Sequence, residues 1–409
     1  MRFGIFFFTL ALILGLLNAY VYRWATQAYD LPKWGRRTLA AVMLASVLGL
    51  LLGRLADRVW MDAPVRAILI GSSVVELAVL LSVVPLLVAD LWLFARRGVA
   101  RLRRAASRTP ALEPARARPP EVPRRTFMAQ AAASSAFLVG GSSSLYGAFA
   151  GRHDYTLEEL PVRIPGLSRA LDGFTIVQLS DLHIGQFVRE AELRAAEELV
   201  ARARPDLVVL TGDLLDHDPR LAHRLGAFVR RLGPLAREGV VAIPGNHDYF
   251  AGIDSVVAAL EAGGADVLRN QGRIIGDRSR GFALLGVEDV WAGRFGSDRP
   301  DLERAVDSLP RLSGSLAAAR DLPRILLCHN PSYFEAAASR VALQLSGHTH
   351  GGQVNPIVRP ADWVLKHGWV AGLYERSGSR LYVNRGFGTV GPPARLGAPP
   401  EVSRIVLVS

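Results

Sequence analysis

Five short apolar runs in this 409-residue chain stop at residues able to bind a cation or move a proton. Thr175–Leu179 leads into Ser180-Asp181-Leu182-His183, and Leu207–Leu210 into Thr211-Gly212-Asp213. Val240–Ile243 leads into Pro244-Gly245-Asn246-His247-Asp248, and Ile325–Leu327 into Cys328-His329-Asn330-Pro331. The fifth, Val341–Leu345, runs through Ser346 into Gly347-His348-Thr349-His350. Five of the nine histidines in the chain fall in these clusters, which a random scatter would rarely produce. Neutral imidazole is the commonest metal ligand near neutral pH. The donors are oxygen and nitrogen, with Cys328 the one sulfur. That mixture suits Mn, Fe or Zn rather than a thiolate-bound structural zinc. The donors are also too many for one ion. Two ions about 3.5–4 Å apart, sharing a carboxylate, would activate water and stabilise both oxygens of an in-line displacement at phosphorus.

Positioning these groups is a task for strands and tight turns. Each run is too short for a helix and suits a buried strand. Gly347, Gly351 and Gly352 allow the sharp turns that would hold His348 and His350 at a strand end. Ala283–Val287, Leu381–Val383 and Ile405–Val408 are further strand candidates. Amphipathic helical patterns separate several runs, most clearly at Glu190–Arg202 and Leu221–Arg237. Alternating strands and helices predict an α/β domain with ligands gathered at the carboxyl ends of its strands.

The ordered series D-x-H, G-D, G-N-H-D/E, H and G-H-x-H resembles the calcineurin-like metallophosphoesterase family. Every element is present and in order, and the resemblance spans roughly residues 174–409. It implies an α/β sandwich of two mixed sheets flanked by helices, and hydrolysis of a phosphoester with two divalent metal ions. It further implies that Asp181, His183 and His350 hold one ion, that Asn246, His329 and His348 hold the other, and that Asp213 bridges them. His247 would then contact the phosphate and protonate the leaving oxygen, Asp248 would orient that imidazole, and a metal-bridging hydroxide would be the nucleophile. Tyr382–Gly388, Pro393–Glu401 and Gly351-Gly352-Gln353 resemble a bacterial subgroup of exported or membrane-attached members. Some related members act on cell-envelope phosphoesters, including lipid-linked nucleotide sugars. Off the motif, Asp216 is expected to cap or hydrogen-bond the next turn, and His217 and Asp218 to be loop surface. His153, His223 and His367 have no partner motif, and Arg189 is expected to open a helix. Cys328 is expected to pack as a small hydrophobe.

The first part of the chain is a different material. Half of all residues are hydrophobic and mean hydropathy is +0.21. Phe3–Tyr22, Leu39–Gly53 and Ile68–Phe94 predict three membrane-spanning helices within residues 1–95, the second only with its flanks included. Glu76 and Asp90 interrupt the third. An ionisable residue in a span raises the alternative of a sensor or transport module with a phosphoesterase output. A metal-binding scaffold without turnover is the other alternative.

Net charge is +11, and residues 1–150 carry 18 basic against 7 acidic side chains, which accounts for all of it (18 − 7 = 11). The remainder is neutral, so nucleic-acid binding is not expected. Residues 96–125, with ten arginines opposed by Glu113 and Glu121, read as a solvated linker on the cytoplasmic side. Arg124-Arg125 before a mildly apolar segment resembles a twin-arginine export signal, and residues 126–151 are either that or a fourth span. Both readings put a catalytic domain, residues 152–409, outside the cytoplasm.

Overall fold

The computed structural model describes residues 2–56, 60, 62–106, 124–277, 280–309 and 322–409. Most of the expected linker, including Glu113 and Glu121, lies outside the described residues. The chain divides into two compact units, Met1–Ala148 and Phe149–Ser409.

The first unit is helical: α1 (Arg2–Ala28), α2 (Lys33–Ala56), α3 (Ala63–Ala106) and α4 (Arg124–Phe149). Three segments, Phe7–Ala28, Lys33–Ala56 and Ala63–Leu102, are long and apolar enough to cross a membrane. α3 extends into the arginine-rich stretch expected to be linker, because arginine, alanine and leucine there are all strong helix formers. Small residues let helices approach closely. Ser82 Oγ on α3 donates to the Ala136 carbonyl of α4 at 3.1 Å, and Ser144 Oγ on α4 donates to the Val74 carbonyl at 2.6 Å. Glu76 is buried, accepting from Asn18 Nδ2 on α1 at 2.8 Å and from Ser46 Oγ on α2 at 2.5 Å. Asp90 accepts from Tyr20 Oη at 2.8 Å and Trp24 Nε1 at 3.1 Å.

The second unit is a sandwich of two six-stranded mixed sheets. Its strands are β1 (Thr156–Arg163), β2 (Thr175–Leu179), β3 (Leu207–Thr211), β4 (Val240–Ile243), β5 (Ala265–Val267) and β6 (Gln271–Ile275). They continue as β7 (Phe282–Gly286), β8 (Arg324–Leu327), β9 (Leu343–Ser346), β10 (Gly372–Arg376), β11 (Ser379–Val383) and β12 (Glu401–Val408). One sheet has the order β1-β12-β2-β3-β4-β5, the other β10-β11-β9-β8-β7-β6. β2, β3 and β4 are parallel neighbours, as are β7, β8, β9 and β11, so their carboxyl ends share one edge of each sheet.

The apolar runs are continuous because central strands are covered on both faces. Ile176, Val209, Val241 and Ile243 pack between the sheets against Leu284, Ile325, Leu327 and Leu345. The alternate residues Ala283, Leu285 and Leu326, with Cys328, pack outward on Leu302, Ala305 and Val306 of helix Leu302–Asp307. The helix expected over Leu221–Arg237 is shorter, Ala222–Leu232. Gly233 and Pro234 follow it, and proline cannot continue an α-helix.

Candidate metal centre

Each expected ligand leaves the carboxyl end of a strand and turns sharply. Asp181 and His183 follow β2, Asp213 follows β3, Asn246 and His247 follow β4, His329 follows β8, and His348 and His350 follow β9. Asp181, His183, Asp213, His348 and His350 all have positive φ, between 48° and 74°. Non-glycine residues adopt that region at a cost and persist there where surroundings over-determine them, commonly at functional sites. The surroundings here are specific. Asp181 N–H donates to the Gly212 carbonyl at 2.9 Å and His183 N–H to the Asp213 carbonyl at 3.0 Å. His348 N–H donates to the Asp181 carboxylate at 3.0 Å. A Cβ on Gly347 would stand 1.9 Å from Ser180 Oγ and 2.1 Å from Asp181 Oδ2, so only glycine permits this approach.

Among the described residues the side chains converge in three groups: Asp181 with His183 and His350, Asp213 with His329 and His348, and His183 with Asp216 and His247. His183 Nε2 and His350 Nε2 face each other at 3.0 Å, with Asp181 Oδ1 3.3 Å from the latter. In the second group His348 Nδ1 is 3.2 Å from His329 Nε2, which is 3.3 Å from Asp213 Oδ2. Ligands bound at about 2.0–2.1 Å to a common ion stand roughly 3.0–3.4 Å apart, so these spacings fit a shared cation. Asp213 Oδ2 is also 3.7 Å from His183 Nε2, between the first two groups. The buried Asn246 Oδ1 has no protein partner. His329 Nδ1 lies 2.8 Å from the Thr211 carbonyl and donates to it, so Nε2 is the nitrogen a metal would meet, displacing the proton that, against burial, the Asp213 charge holds on the ring in the metal-free site.

Electrostatics agree with a cation site. Burial, then the neighbouring His329 charge, lowers His348 to about 4. Burial and then His183 hold His350 well below the usual histidine range, so both imidazoles keep a free lone pair at neutral pH. Burial alone would raise the Asp213 carboxyl. His329, by charge and hydrogen bond, with His247 and His183, outweighs burial and holds it well below the carboxylate range.

Two expectations are corrected around His247. Asp248 does not orient its imidazole. The Asp248 carboxylate is buried and accepts backbone N–H from Leu214, Leu215 and Gly245 at 2.9, 3.0 and 2.9 Å, pinning the β3 and β4 turns together. Asp216 faces His247 instead: His247 Nδ1 is 2.9 Å from the Asp216 carbonyl and 3.4 Å from Asp216 Oδ1. Asp216 Oδ1 also lies 3.7 Å from His183 Nδ1. The capping task expected of Asp216 falls to Asp218, which is buried and accepts from Arg220 N–H at 2.9 Å. Asp213, Asp216 and Asp218 all follow β3 within seven residues, and their spacing alone does not say which turns inward. Burial opposes charge on His247, but the Asp216 hydrogen bond and the Asp213 and Asp216 charges outweigh it and raise it to about 9.

Arg395 is a second residue whose part the sequence did not disclose. It is fully buried, donates to the carbonyls of Arg385, Gly386, Gly388 and Ala398 at 2.9–3.0 Å, and stands 3.3 Å from His350 Nδ1. It thereby fixes the loop after β11, whose Gly388 N–H donates to the Asp181 carbonyl at 2.7 Å. On the other side, Phe250 meets the His247 ring at 5.0 Å and continues to Trp291 and Phe295, forming an aromatic wall beside the imidazole. The histidines without a motif partner lie elsewhere: His153 on Tyr155, His223 on the Arg220 carbonyl, His367 on Glu335. Arg189 opens helix Glu190–Ala203, and Cys328 packs as a buried hydrophobe.

Residues 174–352 match the family model described as calcineurin-like phosphoesterase. A metallophosphoesterase of Bacillus subtilis, YkuE, named as uncharacterized, is 32% identical over 70% of this chain and 98% of its own length. Phosphodiesterase YaeI of Escherichia coli is 34% identical over 58% of this chain and 82% of its own. A Danio rerio transmembrane protein with a metallophosphoesterase domain is 29% identical over 66% of this chain, which covers 62% of that protein. The family uses divalent metals, and the two facing groups are candidate ligands for them. With these likenesses added to the converging strand-end donors, the chain belongs to the calcineurin-like metallophosphoesterases and is a metal-dependent phosphoester hydrolase.

Proposed function

We propose that the chain is a membrane-anchored, dinuclear phosphoesterase acting outside the cytoplasm on a phosphodiester or pyrophosphate of a lipid or wall component. The observation that carries the dinuclear reading is Asp213 Oδ2, 3.3 Å from His329 Nε2 and 3.7 Å from His183 Nε2, one oxygen between two groups of ligands. In this reading Asp181, His183 and His350 hold one ion, Asn246, His329 and His348 the other, and Asp213 both. The ions are Mn, Fe or Zn. When bound they supply the nucleophile by lowering the pKa of water and neutralise charge developing on phosphoryl oxygens.

The rest of the reaction belongs to the protein. With Nδ1 turned to the Asp216 carbonyl, His247 has Nε2 free to hold a proton for the leaving oxygen. Asp216 keeps that ring in place, and Asp248 holds the turn on which it stands. The name of phosphodiesterase YaeI favours a diester.

The ten arginines of residues 96–125 support a cytoplasmic linker, and hence an extracytoplasmic domain over residues 152–409. The segment 126–151 serves as a twin-arginine-like signal or a fourth span, after three spans within residues 1–95.

Two experiments test the proposal. Full-length protein purified with manganese should hydrolyse bis-p-nitrophenyl phosphate faster than p-nitrophenyl phosphate, and should release phosphate or a phosphomonoester from a lipid-linked pyrophosphate. Turnover of the monoester alone would contradict the substrate class. Protease added to intact spheroplasts should cleave the catalytic domain, and complete protection would contradict the sidedness.

One observation favours a second reading. Glu76 holds Asn18 and Ser46, so three helices meet at one buried carboxylate, as a sensor or transport module would require. In that case Glu76→Gln changes turnover in proteoliposomes and leaves turnover in detergent alone.

A further inference from the structure

Among the described residues from Phe149 onward, ten large apolar side chains are exposed, and five of them fall within residues 357–365. Ile357 is 94% exposed, Val364 82% and Trp363 75%, with Val358 and Leu365 beside them. An exposed apolar cluster of this size on a folded domain marks an interaction surface rather than ordinary scatter. The segment joins the metal-site turn at both ends. Asn355 Nδ2 donates to the Gly351 carbonyl at 2.8 Å, one residue past His350. At the far end Thr349 Oγ1 donates to the Val370 carbonyl at 2.5 Å, between His348 and His350. Whatever engages the tip therefore engages the frame of the candidate ligands.

We propose that residues 356–368 form a bilayer-docking loop that inserts Ile357, Trp363 and Val364 into the lipid interface and holds the metal centre at headgroup level. This rests on the lipid-substrate reading above only for its purpose, not for the docking itself. The occupant is lipid for two reasons. The same chain carries three segments fit to cross a membrane, so a bilayer is covalently at hand. The tip also combines aliphatic side chains with a tryptophan, whose apolar ring and polar N–H suit the interface. Its charges are already paired: Arg359 with Asp362 at 2.8 Å and Lys366 with Glu335 at 2.7 Å. Docking is accordingly driven by apolar transfer and is insensitive to salt, unlike adhesion through a basic patch.

The test uses full-length protein in vesicles of phosphatidylethanolamine, phosphatidylglycerol and brominated phosphatidylcholine. Cys328 is buried, so Val364→Cys can be labelled selectively with an environment-sensitive fluorophore, with Arg202→Cys on an exposed helix as the control. The label at 364 should be quenched by brominated lipid and shielded from aqueous iodide, at low and high salt alike, while the label at 202 is not. In a second arm, Trp363→Ser with Val364→Ser should lower turnover of a lipid-linked pyrophosphate in the vesicles roughly tenfold or more. Turnover of soluble bis-p-nitrophenyl phosphate should be unchanged. A label at 364 open to iodide overturns the proposal, and so does one shielded from iodide yet untouched by brominated lipid, since protein would then cover the loop. Quenching at 364 with no hydrolysis of any lipid ester upholds docking and overturns the lipid-substrate reading instead. Lipid-ester turnover with an unquenched label does the reverse.

Discussion

Two neighbouring acids with different surroundings give the sharpest contrast. Asp216 faces the His247 and His183 rings, whereas Asp248 receives three backbone N–H groups. Asp216→Asn should lower kcat roughly 10–100-fold, the usual effect of losing a group that orients a catalytic or ligating imidazole, with metal content retained. Asp248→Asn keeps one acceptor but turns an amide towards a backbone N–H, and should cost about 1–3 kcal/mol of stability, read as a fall in Tm. Equal kcat losses with no change in Tm would contradict this division of labour. His247 also makes a pH prediction for chelated, metal-free protein. Its pKa rises from 6.5 to about 9 on folding. A raised value contributes stability that is complete below the unfolded pKa and disappears as pH climbs through the folded one, a span equivalent to roughly 3 kcal/mol. The Tm difference between wild type and His247→Gln should therefore be largest below the unfolded pKa of 6.5 and shrink as pH rises towards about 9. A difference that grows with pH would reverse the assigned sign.

At the scale of elements, turns matter as much as strands. Gly347→Ala would press a methyl group into Ser180 and Asp181, and since Asp181 must then move, metal affinity should fall roughly 10–100-fold with the fold retained. Metal titration of the variant checks this, and unaltered affinity would mean the β9 turn is looser than it looks. The same elements show what a sequence discloses. β2, β4 and β8 could be read from apolar runs because they are central and covered on both faces. β1, β5, β6 and β10 could not, and they are the outermost strands of the two sheets. β1 reads TLEELPVR and β10 reads GLYER, since an edge strand is half-wet and carries charge or proline. The candidate ligands that converge were legible from strand-end spacing, because metal chemistry limits their residue types. Asp216 and Arg395 were not, because their parts depend on which way a loop folds and on a long-range approach to His350.

At the scale of the molecule, the charge separates by unit. All the net positive charge lies within residues 1–150, so the rest of the chain carries no net charge to draw polyanions from afar. Within the candidate metal centre, four imidazoles and two carboxylates are turned toward one another, an arrangement that bound cations relieve. Removing metal with a chelator should abolish turnover and lower Tm, and added manganese should restore both. Loss of turnover with an unchanged Tm would mean the ions add nothing to the fold.

The most direct test of the central claim is the number of divalent ions per chain in full-length protein purified with manganese, counted by elemental mass spectrometry beside Asp213→Asn. The account predicts about two ions per wild-type chain, with turnover that follows occupancy, and a loss of both when the shared carboxylate is neutralised. A well-folded wild-type chain that turns over substrate with a single ion, and an Asp213→Asn chain that keeps it, would contradict the dinuclear centre.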